Sequence, residues 1–323
     1  MKKILSAFAI FSLFNLSGQV QAQEKVNVRL DFSPWGVQAA MHTAKHKGWF
    51  KEAGLDVNIE DGRGSGNTIQ LVNAGQTDIG QVQVGLVGLA REQGGKIKSI
   101  MNFQRKTDLC VLVDKNSSAK TVADLKGKKV VVFAASPWAP FIDTFLKSGG
   151  LTRDDLPVEV VDPAALWGTY TTKRVDGMMS TVASAIPIAE VSRPSKCILA
   201  SDGGITFPSY GLVARDETIA NRGAILKKVV QIQQRAWEHL KSNPDDGVKA
   251  MIAERPDAKL DANVLLEQIK LTIEYFDTPA SKGKPIGWHA KEDWEATLKS
   301  LEAAGAVKSG WKLDDYYTNA LVE

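Results

Sequence analysis

Two α/β units joined by a pair of chain crossings is the architecture this sequence predicts. Three observations carry the prediction. Strand and helix signals alternate from about residue 26 to residue 82, the alternation restarts near residue 122, and the C-terminal third is helical in its spacing. Strands alternating with helical crossovers argue for largely parallel sheets.

Val26-Asn27-Val28-Arg29-Leu30 alternates apolar and polar residues and reads as a first strand. Val37, Ala40, Met41 and Ala44 then fall at helical spacing, with Gly54 placed to stop the chain. Leu55–Ile59 is a second alternating strand, followed by the Gly62–Gly66 turn, a short helix near Thr68–Ala74 and the strand Asp78–Val82. In the second unit, Val122–Gly127 reads as a short helix and Lys129–Ala134 as an apolar run buried on both faces. A helix from about Ala139 to Lys147, the strand Val158–Val161, a helix around Ala164–Lys173 and the run Val175–Val182 follow. Helical spacing returns at Ile225, Val229, Ile232, Ala236 and Leu240, at Leu265, Ile269, Thr272 and Phe276, and at Trp294, Leu298 and Leu301. These helices are expected to pack on one of the two units. Turn-rich clusters at Asp114–Ser118 and Pro208-Ser209 set the expected boundaries: residues 23–114 and 209–323 form lobe 1, and residues 115–208 form lobe 2.

The first 22 residues stand apart. Met1-Lys2-Lys3, an apolar run from Ile4 to Leu16, and Val20-Gln21-Ala22 have the three parts of a secretory signal peptide, with cleavage expected after Ala22. No cysteine lies near that point to carry a lipid, so the mature chain is expected free in a periplasm. Removing Lys2 and Lys3 lowers the formal net charge from +3 to +1, a balance that gives no support for nucleic-acid binding. Cys110 and Cys197 both sit in strand-like apolar runs; the reading favours two buried thiols over a bridge.

Gly48-Trp49-Phe50-Lys51-Glu52-Ala53-Gly54-Leu55-Asp56-Val57 resembles a run shared by the NMT1/THI5-like and SsuA/TauA-like substrate-binding proteins. Gly62–Asn67, Gly75-Gln76-Thr77-Asp78-Ile79-Gly80 and Val122–Val130 match the family's later pieces in order. The resemblance implies a type II periplasmic-binding-protein fold whose lobes close on a ligand. It also implies delivery to an ABC permease in the inner membrane, with a separate ATPase; no phosphate-binding G-x-x-x-x-G-K-[ST] loop occurs in this chain. A monomer that binds a small molecule, uses no cofactor and is not an enzyme is the expectation.

In such a fold, loops at the carboxyl ends of parallel strands meet the ligand, and helices starting there point free N–H groups at it. Three segments qualify: Ser33-Pro34-Trp35, Gly64-Ser65-Gly66-Asn67 and Ser136-Pro137-Trp138. Trp35 and Trp138 are candidates to sandwich a planar ring. Arg63 is a candidate for an acidic ligand group, and Gln81, Gln83, Ser180 and Thr181 for hydrogen bonds at strand ends. Trp167 and Tyr170, one turn apart, read as packing residues. His42 and His46 share a helix face, but Thr43 stands where a zinc protease needs glutamate, and no third ligand is evident, so no metal is expected. The favoured ligand is an aromatic or heteroaromatic solute, with a carboxylate allowed. Alternatives are an alkanesulfonate, taurine or nitrate receptor, a thiamine-pyrimidine synthase-like enzyme lacking the cysteine-rich run of that group, or a periplasmic sensing adaptor.

Overall fold

The computed structural model describes residues 23–322, so the expected leader over 1–22 lies outside the described residues. The strands in chain order are β1 (Glu24–Arg29), β2 (Leu55–Glu60), β3 (Ile79–Gln83), β4 (Ile97–Asn102), β5 (Leu109–Asp114), β6 (Val130–Phe133), β7 (Val158–Val161), β8 (Gly177–Thr181), β9 (Ser195–Leu199) and β10 (Tyr210–Arg215). They form two five-stranded sheets, ordered β2-β1-β3-β10-β4 and β7-β6-β8-β5-β9. Within the first, β1 runs parallel to β2 and β3, while β10 is antiparallel to β3 and β4. The second repeats the plan, with β6 parallel to β7 and β8, and β5 antiparallel to β8 and β9.

The reversed strand of each sheet is the one that directly follows a crossing. β5 enters the second sheet after the chain leaves β4, and β10 returns to the first after β9. The first crossing therefore lies between Asn102 and Leu109, earlier than the expected boundary at 114/115. Asp114–Ser118 is a turn at the end of β5, closed by the Asp114 carboxylate accepting from the Asn116 amide at 3.1 Å. Such a turn looks the same in sequence whether it ends a strand or a lobe. The second crossing runs from Leu199 to Tyr210.

Apolar burial explains both sheets. Val26 and Val28 of β1 are buried between exposed Lys25 and Asn27, and Val130, Val131 and Val132 of β6 are all buried. Helices Asp216–Ser242 and Pro244–Glu254 pack against helix Ala39–His46 on the first sheet, and Ala262–Glu274 packs on Pro244–Glu254, on the Gly36–Gln38 turn and on helix Val182–Ser192. One apolar cluster passes from Val82 and Val213 of the first sheet to Leu109, Val111 and Val130 of the second and on to Trp138. The two lobes thus share a continuous core at their base.

The cysteines depart from expectation. Cys110 of β5 and Cys197 of β9 form a disulfide, with Cα atoms 5.5 Å apart, inside the usual range for a bridge. β5 and β9 are antiparallel neighbours, with Leu112 opposite Cys197 and Cys110 opposite Leu199, which sets the two sulfurs diagonally on one face. Pairing across 87 residues of sequence is a non-local event that spacing does not reveal. By the chain-entropy account such a crosslink stabilises by about 4.6 kcal/mol. Combined Cys110→Ala and Cys197→Ala substitution, or added reductant, is expected to lower the melting temperature by several degrees. An unchanged melt in reductant would show that the crosslink does not stabilise the fold.

Candidate functional site

The cleft between the lobes holds a cavity built from strand ends and helix starts. The first lobe contributes Asp31, Phe32 and Trp35 from the loop after β1, Gly64 and Ser65 at a helix start, Gln83 at the end of β3, and Tyr210 at the start of β10. The second contributes Phe133, Ser136 and Trp138 around the end of β6, Leu166 and Trp167 from a short helix, and Ser180, Thr181 and Ser184 where β8 passes into helix Val182–Ser192. The cavity is narrow, with ≈ 50 Å³ open to the centre of a water-sized sphere. At about 10–15 Å³ per water on that measure, this is room for a few waters.

The cleft is closed. Phe32 and Phe133, one from each lobe, touch with ring centroids 5.5 Å apart. The Gly64 turn also lies directly on the other lobe: a Cβ at residue 64 would stand 3.0 Å from the Phe133 ring and 3.2 Å from the Ala135 carbonyl oxygen. Gly64 has φ +113°, so this close approach and this backbone both call for glycine. At the rim, Arg63 of the first lobe reaches Asp162 of the second at 3.4 Å, both well exposed. A pair so open to water contributes little to closure.

Trp35 and Trp138, the candidates to sandwich a planar ring, line the cavity and are also tied into its walls. The Trp35 indole N–H donates to Asp31 at 3.1 Å, and its ring meets Tyr210 edge to face. The Trp138 indole N–H donates to the Ser180 carbonyl at 2.9 Å, and its ring packs on Phe145. Gly64, Ser65, Gln83, Ser136, Ser180 and Thr181, candidates from the sequence, also line the cavity. Five candidates do not. Ser33 and Arg63 border an outer depression beside Asp162, and Gly66 borders a separate groove with Ala135. Asn67 lines none of these spaces. Gln81 is buried below the cavity, donating to the Val37 carbonyl at 3.1 Å. His42 is buried, while His46 is half exposed and faces Glu254 at 3.5 Å. No cluster of three metal-ligating side chains occurs among the described residues.

The polar groups of the cavity are few. The Gln83 side chain is fully buried, and neither its amide oxygen nor its nitrogen makes a hydrogen bond of good geometry. An unpaired buried amide costs about 1–3 kcal/mol, which a ligand can recover. Asp31 is buried, accepting from Gln38 and Trp35 at 3.0 and 3.1 Å. Loss of water raises its pKa to about 6 despite those bonds. Burial beside Asp31 and Asp108 holds the Tyr210 phenol well above its ordinary value, so it stays protonated. Helices Ser65–Asn73 and Val182–Ser192 begin at the cavity from opposite lobes, with no side-chain cap and no acid in the first turn. Free N–H groups there favour an acceptor atom on a ligand. Among the described residues, no lysine, arginine or histidine lines the cavity.

Sequence reasoning misses Asp31, Phe32, Phe133, Leu166, Trp167, Ser184 and Tyr210. Spacing reads Trp167 as packing with Tyr170; Tyr170 is indeed fully buried, but Trp167 lines the cleft. The only signal for Asp31 and Phe32 is their place directly after the first strand.

Two parallel-based sheets, each with one reversed strand, around a closed interlobe cavity define a protein of the periplasmic-binding-protein class. A sequence model described as NMT1/THI5 like matches residues 36–247, and the chain belongs to that family. It is 26% identical to a Haemophilus influenzae protein with a thiamine-biosynthesis name, over 98% of each chain. It is also 23% identical to a formylaminopyrimidine-binding protein of Halalkalibacterium halodurans, over 90% of this chain and 88% of that one. The structure is similar to the periplasmic aliphatic sulphonate binding protein SsuA of Escherichia coli. There the TM-score is 0.66 at 16% identity, covering 90% of this chain and 91% of the other.

Behind the cavity, Asp108 has no contact with water and accepts from Gln104 Nε2 at 2.8 Å and Ser209 Oγ at 2.6 Å. Desolvation raises its pKa to about 6. Because the folded value lies above the unfolded 3.8, the stability linked to this proton is complete below pH 3.8 and lost as pH rises through about 6. Relative to Asp108→Asn, the wild type is expected to lose about 2 kcal/mol of unfolding free energy between about pH 4.5 and about pH 7.5. Urea denaturation at the two pH values checks this; parallel pH dependence in both proteins would show that Asp108 is not the group involved.

Proposed function

We propose that this chain is an exported, monomeric solute-binding component of an ABC importer. It captures a small uncharged heteroaromatic ring in the interlobe cleft and passes it to an inner-membrane permease served by a separate ATPase. The observation that carries the ligand class is the unpaired Gln83 amide inside a cavity walled by aromatic rings from both lobes and free of basic side chains. A side-chain amide presents a donor and an acceptor in one plane. Such an edge complements a ring nitrogen beside an amino group, or a ring carbonyl beside an N–H, in the way glutamine pairs with adenine. Asp31 supplies a second acceptor, and the two helix starts supply donors.

A sulfonate or nitrate would find only those helix starts to balance its charge, with the Asp31 carboxylate opposing it. The formylaminopyrimidine-binding name of one relative agrees with the heterocycle reading. Family membership and the likeness to periplasmic binding proteins support the transport role and the periplasmic site.

Calorimetric titration of the mature protein with aminopyrimidines, taurine and nitrate tests the reading. Heat is expected from the heterocycles alone. A charge-assisted hydrogen bond contributes about 1.5–3 kcal/mol, so Asp31→Asn is expected to weaken binding by about tenfold or more. The ionised carboxylate is the stronger acceptor, and Asp31 carries a folded pKa of about 6, so wild-type affinity should fall as pH drops below that value. The Asp31→Asn variant should show no such decline. Heat from taurine or nitrate only, or affinity indifferent to Asp31, would sink the proposal.

A further inference from the structure

Three polar side chains of the first lobe meet at one corner of the cavity, and the proton on one of them decides how another faces a ligand. Tyr210 and Gln83 sit directly opposite each other on the antiparallel strands β10 and β3. Such cross-strand partners point to the same face of a sheet, with Cβ atoms about 5 Å apart. Both side chains line the cavity, and so does Asp31 from the loop after β1. The phenol faces both the Asp31 carboxylate and the Gln83 amide. Edge-to-face contact with Trp35, at 5.3 Å between ring centroids, holds the ring that carries it. Gln83 is anchored at its backbone, where its N–H donates to Ser65 Oγ at 3.1 Å. All of these residues belong to the first lobe, so the arrangement does not depend on where the second lobe stands.

We infer that Tyr210 is a specificity-determining residue: it fixes which end of the Gln83 amide meets each part of a ligand edge. The inference rests on the heterocycle reading above and deepens it. A hydroxyl has one proton to donate and lone pairs to accept with, while an ionised carboxylate only accepts. Above about pH 6 Asp31 is ionised. It accepts from Gln38 and Trp35 at 3.0 and 3.1 Å and draws the phenol proton as well. Burial beside Asp31 and Asp108 keeps that proton on Tyr210. The amide makes no hydrogen bond of good geometry to the phenol, so the direction of the phenol proton, not a formed bond, sets its polarity. The Tyr210 oxygen is left with lone pairs toward Gln83, and the amide end turned to it is therefore the NH₂ group. The second N–H and the carbonyl oxygen remain for the ligand, in a fixed order. A ring nitrogen beside an amino group matches that order. A ring carbonyl beside an N–H matches only turned over, with the rest of its ring on the opposite side of the amide.

Calorimetric titration of the mature protein with cytosine and uracil tests the inference, because these rings match in size and differ in that one edge. Wild type is expected to bind cytosine about tenfold more tightly, the worth of two ordinary hydrogen bonds. Tyr210→Phe keeps the ring that packs on Trp35 and removes the hydroxyl. The Gln83 amide is then free to turn over and meet either edge, so the preference should shrink to about threefold or less. A merely structural tyrosine would weaken both rings alike and leave their ratio unchanged. Gln83→Met has similar volume and no amide; it should lose the preference too, and it carries the test if the phenylalanine variant folds poorly. Equal affinity of wild type for the two rings, tighter binding of uracil, or a ratio that both variants preserve would overturn the inference and leave the heterocycle reading standing. Heat from neither ring would sink the heterocycle reading and the inference together.

Discussion

A carboxylate without water sits where both chain crossings meet, and the arrangement of the lobes depends on how it is satisfied. Asp108 ends the first crossing and accepts from Gln104 of that crossing and from Ser209 of the second. The two segments also exchange backbone hydrogen bonds, Ser209 to Gln104 and Gln104 to Tyr210, each at 2.9 Å. Burying a charge is tolerable only when hydrogen bonds surround it. Gln104, Ser209 and Asp108 are thereby held in one place, and with them the start of β5 and the start of β10. These are the reversed strands that complete each sheet.

From that fixed base the cavity follows. Tyr210 begins β10 immediately after Ser209, and its ring packs against Trp35. Trp35 in turn holds Asp31 by its indole N–H, so the hinge and the wall of the cleft form one connected network. Gln83 is the exception, a buried amide that faces the Tyr210 phenol and makes no hydrogen bond of good geometry. Folded interiors rarely leave such a group unsatisfied without a reason. Capture of a ligand edge is a reason that fits its position.

Much of this is legible in the sequence where the signal is local. β7 reads from sequence with the bounds it has, because Val158-Glu159-Val160-Val161 is set off by Pro157 before it and Pro163 after. The cleft loops follow from a rule about the carboxyl ends of parallel strands, and that rule also explains the main omission. β10 runs antiparallel, so its amino end faces the cleft, and Tyr210 falls outside the rule. Gln81 and Gln83 share one face of β3, but only Gln83 reaches the strand's end; depth along a strand leaves no trace in a period of two. The disulfide depends on which distant elements become neighbours. No spacing rule reports that.

The central claim is that the closed cleft selects an uncharged heteroaromatic ring over an oxyanion. Native mass spectrometry of the mature protein in an equimolar mixture of aminopyrimidines, a flavin, aliphatic sulfonates and nitrate tests it most directly, since all solutes compete for one cavity. The account predicts a single one-to-one adduct with the mass of a heterocycle. An adduct with the mass of a sulfonate or nitrate, displacing every heterocycle, would contradict it.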